Sequence, residues 1–271
     1  MKKKTNILLF LLLLSLLFSS CGKKPEKKST SYEKKERAPQ NLNRVYENVN
    51  LILGDIEKIE KVPTEDEEEE KNADEKDKSE KESKSKNTSN KKKESKEEKL
   101  KKLWEGIDKN IEKTHNDWNA YEIEGMKKIG NTKSIEKFEE SLNNFTLSIE
   151  NRDNFNIIAK GSEVFLHISP FFDIYKDEVK GDISRIKHYV YKAYILGNNG
   201  EKEKSIESIT QGEAYLNGIK QKLNNDEKKL KNLEKLTLSL QDMRESIEKE
   251  STNLFKIKRD IVLKNLKKLE E

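Results

Sequence analysis

Cysteine and arginine are both scarce in this chain, and each scarcity excludes a class of function. Cys21 is the only cysteine among 271 residues, so the chain beyond it has no thiol for a disulfide, a thiolate nucleophile or a cysteine-bound metal. Only six of the 55 basic residues are arginine, the side chain best suited to bidentate recognition of bases and phosphates. The net charge of +4 is small beside 51 acidic residues. We therefore expect no nucleic-acid partner.

Motifs for catalysis or for a bound metal are also lacking. Histidine occurs only at His115, His167 and His188, and these spacings form no local metal-binding motif. The sequence contains no glycine-rich phosphate loop and no Gly-x-Ser-x-Gly nucleophile elbow. We expect His167, which follows apolar residues, to be buried, and His188 to lie at or near the surface. The sequence predicts no enzyme, no metal and no cofactor.

The N-terminus has the order of regions that is typical of a secretory signal. A basic start at Lys2–Lys4 precedes an apolar run, Ile7–Phe18, that is too short for a standard transmembrane helix. Small residues then lead to Cys21 in the sequence Phe-Ser-Ser-Cys-Gly. This order predicts a signal peptide over residues 1–20 and a mature chain that begins at Cys21. An ordinary secretory signal followed by a chance cysteine is the alternative.

Between the signal and the main domain, polar segments flank one amphipathic segment. Residues 21–40 are rich in lysine and contain two of the four prolines, which predicts a flexible tether. Residues 41–62 repeat apolar side chains at steps of three and four and therefore predict an amphipathic helix. We expect this helix to dock on the main domain, with self-association or a position on the membrane interface as alternatives. Residues 63–98 have almost no apolar side chains and predict a disordered, charged, low-complexity linker.

Residues 99–271 have the pattern of an all-α domain, an antiparallel helical bundle. Apolar stripes recur at helical spacing, Ser169-Pro170 predicts a helix boundary, and residues 197–200 predict the turn of a helical hairpin. From Leu233 to Ile261, apolar residues at heptad positions predict one long C-terminal helix. We expect that helix to pack on the bundle of a monomer and not to form a dimeric coiled coil. Three aromatic residues are predicted to lie in the core: Trp104, Trp118 and Tyr121.

The Phe-Ser-Ser-Cys sequence, the polar tether, the charged spacer and the cysteine-free helical domain together resemble the outer-surface lipoproteins of Borrelia spirochaetes. The resemblance implies a diacylglyceryl anchor on Cys21, usually with an additional N-acyl chain, that holds the protein in the outer membrane. It also implies display at the cell surface and a non-catalytic, antigenic role in binding host complement, matrix proteins or glycosaminoglycans. A periplasm-facing structural or assembly lipoprotein is the alternative. The resemblance assigns no ligand-binding residue.

Overall fold

The computed structural model describes residues 36–62, 95–175, 179–223 and 225–271, and this part of the chain is all-α, as predicted. The predicted signal peptide, Cys21, the tether up to residue 35 and linker residues 63–94 lie outside the described residues. The described ranges contain no strand and form these helices: α1 Gln40–Ile59, α2 Lys96–Ile129, α3 Thr132–Glu150, α4 Asn154–Asp173, α5 Lys180–Asn198, α6 Lys202–Glu213, α7 Leu216–Lys222, α8 Glu227–Ile247 and α9 Thr252–Glu270.

The last residues of the predicted tether belong to the folded domain. The side-chain amide of Asn43 donates hydrogen bonds to the carbonyl groups of Ala38 and Pro39, both at 3.0 Å. Glu36 forms an ion pair with Lys128 at the end of α2. These contacts hold the chain against the bundle before α1 begins, so the 21–40 segment is not a tether over its whole length.

The end of the predicted linker is likewise helical. Ser95 and Glu98 form a capping box, in which the Ser95 hydroxyl accepts from the Glu98 amide at 3.1 Å and the Glu98 carboxylate accepts from the Ser95 amide at 3.2 Å. Helix α2 then runs without a break to Gly130, whose φ of 59° is the left-handed conformation that ends many helices. The sequence-based prediction missed this helix start because the surrounding segment is highly charged and was assigned to the linker.

Helix α1 docks on the bundle, which is the arrangement that its amphipathic pattern favours. Its apolar stripe packs mainly against α2 and α4 and is almost completely excluded from solvent: Leu42, Val45, Tyr46, Val49, Ile52, Leu53 and Ile56. Burying such a side chain contributes about 1.5–3 kcal/mol. Because α1 and α2 belong to one domain, residues 63–94 leave and rejoin the same body. They therefore do not separate the domain from the N-terminal segment.

Two hydrophobic cores lie side by side in the domain. Helices α1 to α4 surround the first core, which contains Trp118 and Tyr121, and helices α5 to α9 surround most of the second. Trp104, also predicted to lie in a core, is only half-buried and lies beneath the guanidinium of Arg152 at 4.4 Å from its ring centre. Helix α5 joins the two halves, because it packs against α4 on one side and against α6 and α9 on the other.

Pro170 does not end a helix, contrary to the sequence-based expectation. Helix α4 continues to Asp173 with Pro170 inside it. A proline lacks the amide that would bond to the carbonyl four residues earlier, here that of Leu166. The hydroxyl of Ser169 donates to that carbonyl instead, at 2.7 Å. The Ser-Pro pair thus repairs the hydrogen bond that proline removes.

The predicted single C-terminal helix is in fact an antiparallel hairpin of α8 and α9. Glu250 turns the chain with a φ of 52°, and Ser251 caps α9 by accepting from the Leu254 amide at 3.2 Å. The heptad positions of α8 are buried as expected. In α9 the phase shifts by about one residue, so the buried residues are Phe255, Arg259, Val262, Asn265, Leu266 and Leu269. The shift leaves Ile257 and Ile261 exposed.

Candidate functional site

A groove of about 470 Å³ runs between α1 and α9, with α5 as its floor. The residues that line it are mainly charged and include both lysines and carboxylates: Glu47, Asn50, Leu51, Gly54, Glu57, Lys58, Lys61, Lys187, Tyr191, Asp260, Leu263, Lys264, Lys267 and Glu270. Leu263, one of the residues that line the groove, packs against both hydrophobic cores. The groove is therefore the place where charged side chains enter the interior of the domain.

Lys187 of α5 forms the centre of the groove floor. Its ammonium group lies 2.6 Å from the Tyr46 hydroxyl, 2.7 Å from the Asn50 side-chain carbonyl and 2.8 Å from the Glu270 carboxylate. The Tyr46 hydroxyl in turn donates to Glu270. These bonds tie together α1, α5 and the last turn of α9, three helices that are far apart in the chain.

Burial shifts the ionisation of this network. Burial lowers the pKa of Lys187 because the ammonium loses hydration, although Glu270 opposes that shift. Burial also raises the pKa of Tyr46 well above its usual range, and the adjacent Glu270 carboxylate reinforces the rise. Tyr46 therefore remains a neutral hydrogen-bond donor. Tyr46 and Asn50 together hold the ion pair between Lys187 and Glu270 in place.

A second buried cation, Arg259, contacts two carboxylates that line the groove, Glu57 and Asp260. It is fully excluded from solvent, and its guanidinium stacks 4.1 Å above the Tyr194 ring. One guanidinium nitrogen lies 2.7 Å from Asp260 and 3.5 Å from Glu57. Burial raises the pKa of Glu57, and the charge of Arg259 counteracts this rise. Arg259 Nη1 and Glu57 Oε1 have no hydrogen-bond partner within the described residues.

The rim of the groove differs from its floor because several side chains are free to make new contacts. Lys58 and Lys61 already pair with Asp55 and Asp260. Lys264 and Lys267 are exposed and have no ion-pair partner in the part of the chain that the structure describes. Leu51 is 54% exposed at the opposite edge. The rim thus offers two ammonium groups and an apolar side chain to a binding partner.

None of the three histidines is among the residues that line the groove. His188, expected near the surface, is buried, and its Nδ1 donates to the Ser162 carbonyl at 3.0 Å. Burial lowers the pKa of His188 to about 4. His167 is half-buried and not fully buried as expected, and His115 contacts the Thr146 hydroxyl at 2.8 Å. The described residues contain no cluster of His, Cys, Asp or Glu that could hold a metal ion.

Sequence reasoning did not identify the two buried cations, Lys187 and Arg259. A signal was present, because Lys187 lies between Ile183 and Tyr191 on an apolar stripe, and Arg259 takes a core position between Phe255 and Val262. A cation at such a position must be paired or its burial is costly. In a sequence with 39% charged residues, however, each lysine is most simply interpreted as part of a solvent-exposed helix face.

Comparison with protein-family models, with curated proteins and with solved structures gave no match for this chain. Within the described ranges, none of the helices combines the length and the apolar character that crossing a bilayer requires.

Proposed function

We propose that this protein is a lipid-anchored, non-catalytic binding module, displayed on the outer membrane at the cell surface, whose groove contacts a host macromolecule. The anchor is an acylated Cys21, which the lipobox-like sequence supports. The macromolecule is of the complement, matrix or glycosaminoglycan class that the resemblance implies. The observation that carries the binding role is the groove rim, where Leu51, Lys264 and Lys267 are exposed. Neither lysine has an ion-pair partner within the described residues.

The composition of the groove favours a segment of a macromolecule over a small molecule. Its volume of about 470 Å³ falls within the usual range for ligand pockets, but such pockets are lined mainly by apolar and aromatic side chains. Here the floor charges are already paired with one another, as Lys187 is with Glu270. The free rim lysines suit an acidic partner that passes along the groove and exposes its own charge to solvent.

Capture from serum and from extracellular matrix tests the binding role. The chain from residue 22 onward, immobilised, should retain a host component, and the variant L51S/K267E should lose it because the change removes an apolar contact and reverses a rim charge. A matched control is K133E/L147S on α3, where Leu147 is 55% exposed and Lys133 is exposed. Equal capture by both variants would contradict a role for the groove.

Display at the surface has its own test. External protease should remove the protein from intact cells, and labelled palmitate should be incorporated into the wild-type protein but not into C21S. Protection from protease in intact cells, with palmitate still incorporated, would support instead the periplasm-facing structural or assembly lipoprotein. Absence of label from the wild-type protein would reject the anchor.

A further inference from the structure

Two solvent-facing stripes run side by side along the α8–α9 hairpin. The stripe on α8 consists of Lys228, Lys231, Lys235, Leu238 and Asp242, which follow one another at steps of three and four residues and are all exposed. Such steps place side chains in one row along a helix. Leu238 is 63% exposed, so this row presents an apolar residue after three lysines.

The stripe on α9 has the same order of properties in reverse. It consists of Leu254, Ile257, Ile261, Lys264 and Lys268, again at steps of three and four residues. Ile257 and Ile261 are 46% and 40% exposed. These are the heptad positions that the sequence places in a core and that the phase shift after Ser251 turns toward solvent.

Contacts between the helices bring the two stripes together. The Asn265 side chain donates to the Lys235 carbonyl at 3.3 Å, and Lys258 pairs with Asp242 at 2.7 Å. This antiparallel register places the lysines of both stripes at one end of the hairpin. The leucine and isoleucines of both stripes share its middle. We call this surface the outer face of the hairpin.

The charge of the outer face is strongly one-sided. Its two stripes carry five lysines, none with an ion-pair partner among the described residues. Their only carboxylate, Asp242, is already paired with Lys258. Glu227, Glu234 and Glu245 are exposed on α8 outside its stripe, and Glu271 follows the end of α9. Exposed apolar side chains beside several lysines are typical of helices that lie on an anionic lipid surface.

We infer that the outer face of the hairpin is a docking surface for anionic phospholipid headgroups, with Leu238, Ile257 and Ile261 inserted at the interface and Lys228, Lys231, Lys235 and Lys268 contacting phosphates. Lys264 also lines the groove and is assigned to the groove rim. The inference rests on the proposed lipid anchor, which brings the domain to a bilayer. Residues 22–35 separate Cys21 from the described domain, and these fourteen residues reach at most about 50 Å. This reach exceeds the length of helix α9, which is about 29 Å.

A second copy of the chain fits this surface less well than a lipid bilayer does. Two outer faces brought together would confront ten lysines with two aspartates that are already paired. Lysines near an anionic membrane, in contrast, each contribute about fivefold in affinity. Charge complementarity therefore selects the lipid surface as the occupant.

Vesicle flotation with the unacylated chain from residue 22 onward tests this inference without the anchor. We expect binding to mixed phosphatidylglycerol–phosphatidylcholine vesicles, and none to phosphatidylcholine alone or in the presence of high salt. K231Q/K235Q should weaken binding about 30-fold, through the loss of two lysines. I257S/I261S should weaken it about tenfold, through the loss of apolar insertion.

Matched pairs on α2 separate this surface from a general effect of charge or hydrophobicity. K109Q/K113Q removes two exposed lysines at the same spacing, and I123S/M126S removes two apolar residues that are 66% and 45% exposed. Both controls should bind vesicles as the wild type does.

Three results would overturn the inference: no binding of the wild type to anionic vesicles, equal losses in the α2 controls, or a dimer that dissociates on I257S/I261S without vesicle binding. None of them bears on host capture or on acylation of Cys21. Failure here is therefore distinguishable from failure of the proposed function.

Discussion

Replacing Lys187 with methionine tests how strongly the groove floor holds the two halves of the domain together. The ammonium of Lys187 has three partners within 2.6–2.8 Å, and the side chains of Lys187 and Glu270 are only 5% and 11% exposed. Methionine keeps an unbranched apolar side chain and removes the ammonium group, so Glu270 is left as a buried carboxylate without a cation. Removing one partner of a buried ion pair costs about 3–5 kcal/mol.

A loss of about 3 kcal/mol corresponds to a fall of about 6–12 °C in the thermal midpoint for a domain of this size. The measurement is urea unfolding followed by far-ultraviolet circular dichroism, which gives the free energy of unfolding directly. The control is K160M, because Lys160 pairs with Glu163 at 3.1 Å while both side chains are about one-third exposed. Breaking that pair should cost less than about 0.5 kcal/mol.

A double-mutant cycle identifies the origin of the effect. Glu270→Gln alone leaves the Lys187 cation buried without its counter-charge and should also destabilise the domain. The double variant K187M/E270Q removes both charges, so its cost should fall below the sum of the single costs by about 2–3 kcal/mol. If K187M cost no more than K160M, or if the two single costs added without coupling, our account of the groove floor would be refuted.

Three further changes test individual features of the fold. Ser169→Ala should cost about 1–2 kcal/mol in urea unfolding because it leaves the Leu166 carbonyl without a donor, and adding Pro170→Ala should recover most of that loss by supplying an amide; no recovery would contradict the repair role of the hydroxyl. The pKa of His188 falls from 6.5 to about 4 on folding, so between these values the unfolded chain binds more protons. About 3 kcal/mol of stability, present above pH 6.5, should therefore be lost as the pH falls through this window, and His188→Gln should flatten the measured slope. Ser95→Ala should cost about 1 kcal/mol through loss of the capping box, and an unchanged thermal midpoint would show that the first turn of α2 does not need its cap.

The positions of the helices could be predicted well because their causes are local. The stripe of α1 at steps of three and four specifies both a helix and a buried face. The turn around residue 199 separates two helices through Gly200, whose φ is 80°. Boundaries were harder to predict. Pro170 indicates a break only if the Ser169 hydroxyl is ignored, and Glu250 carries no sign that it adopts a positive φ.

The candidate site could hardly be predicted from the sequence, because the burial and pairing of its charged residues depend on partners that are distant in the chain. Lys187 and Glu270 are 83 residues apart, and their pairing follows from the way α5 and α9 pack. The same holds for Arg259, which reads as one of many charges until its burial against Tyr194 is known. The sequence specifies the charge of a residue, whereas the loss of its hydration depends on how the domain packs around it.

By itself, the sequence determined the all-α class, the amphipathic face of α1 and the lack of any thiol after Cys21, since composition and helical periodicity require no knowledge of tertiary contacts. The tertiary structure alone decided that residues 36–39 and α1 belong to the main domain and that the final heptads fold back as a hairpin. It also decided that Ile257 and Ile261 face solvent. The physical reason is that periodicity defines a face on each helix, but only packing against the neighbouring helices selects which face is buried.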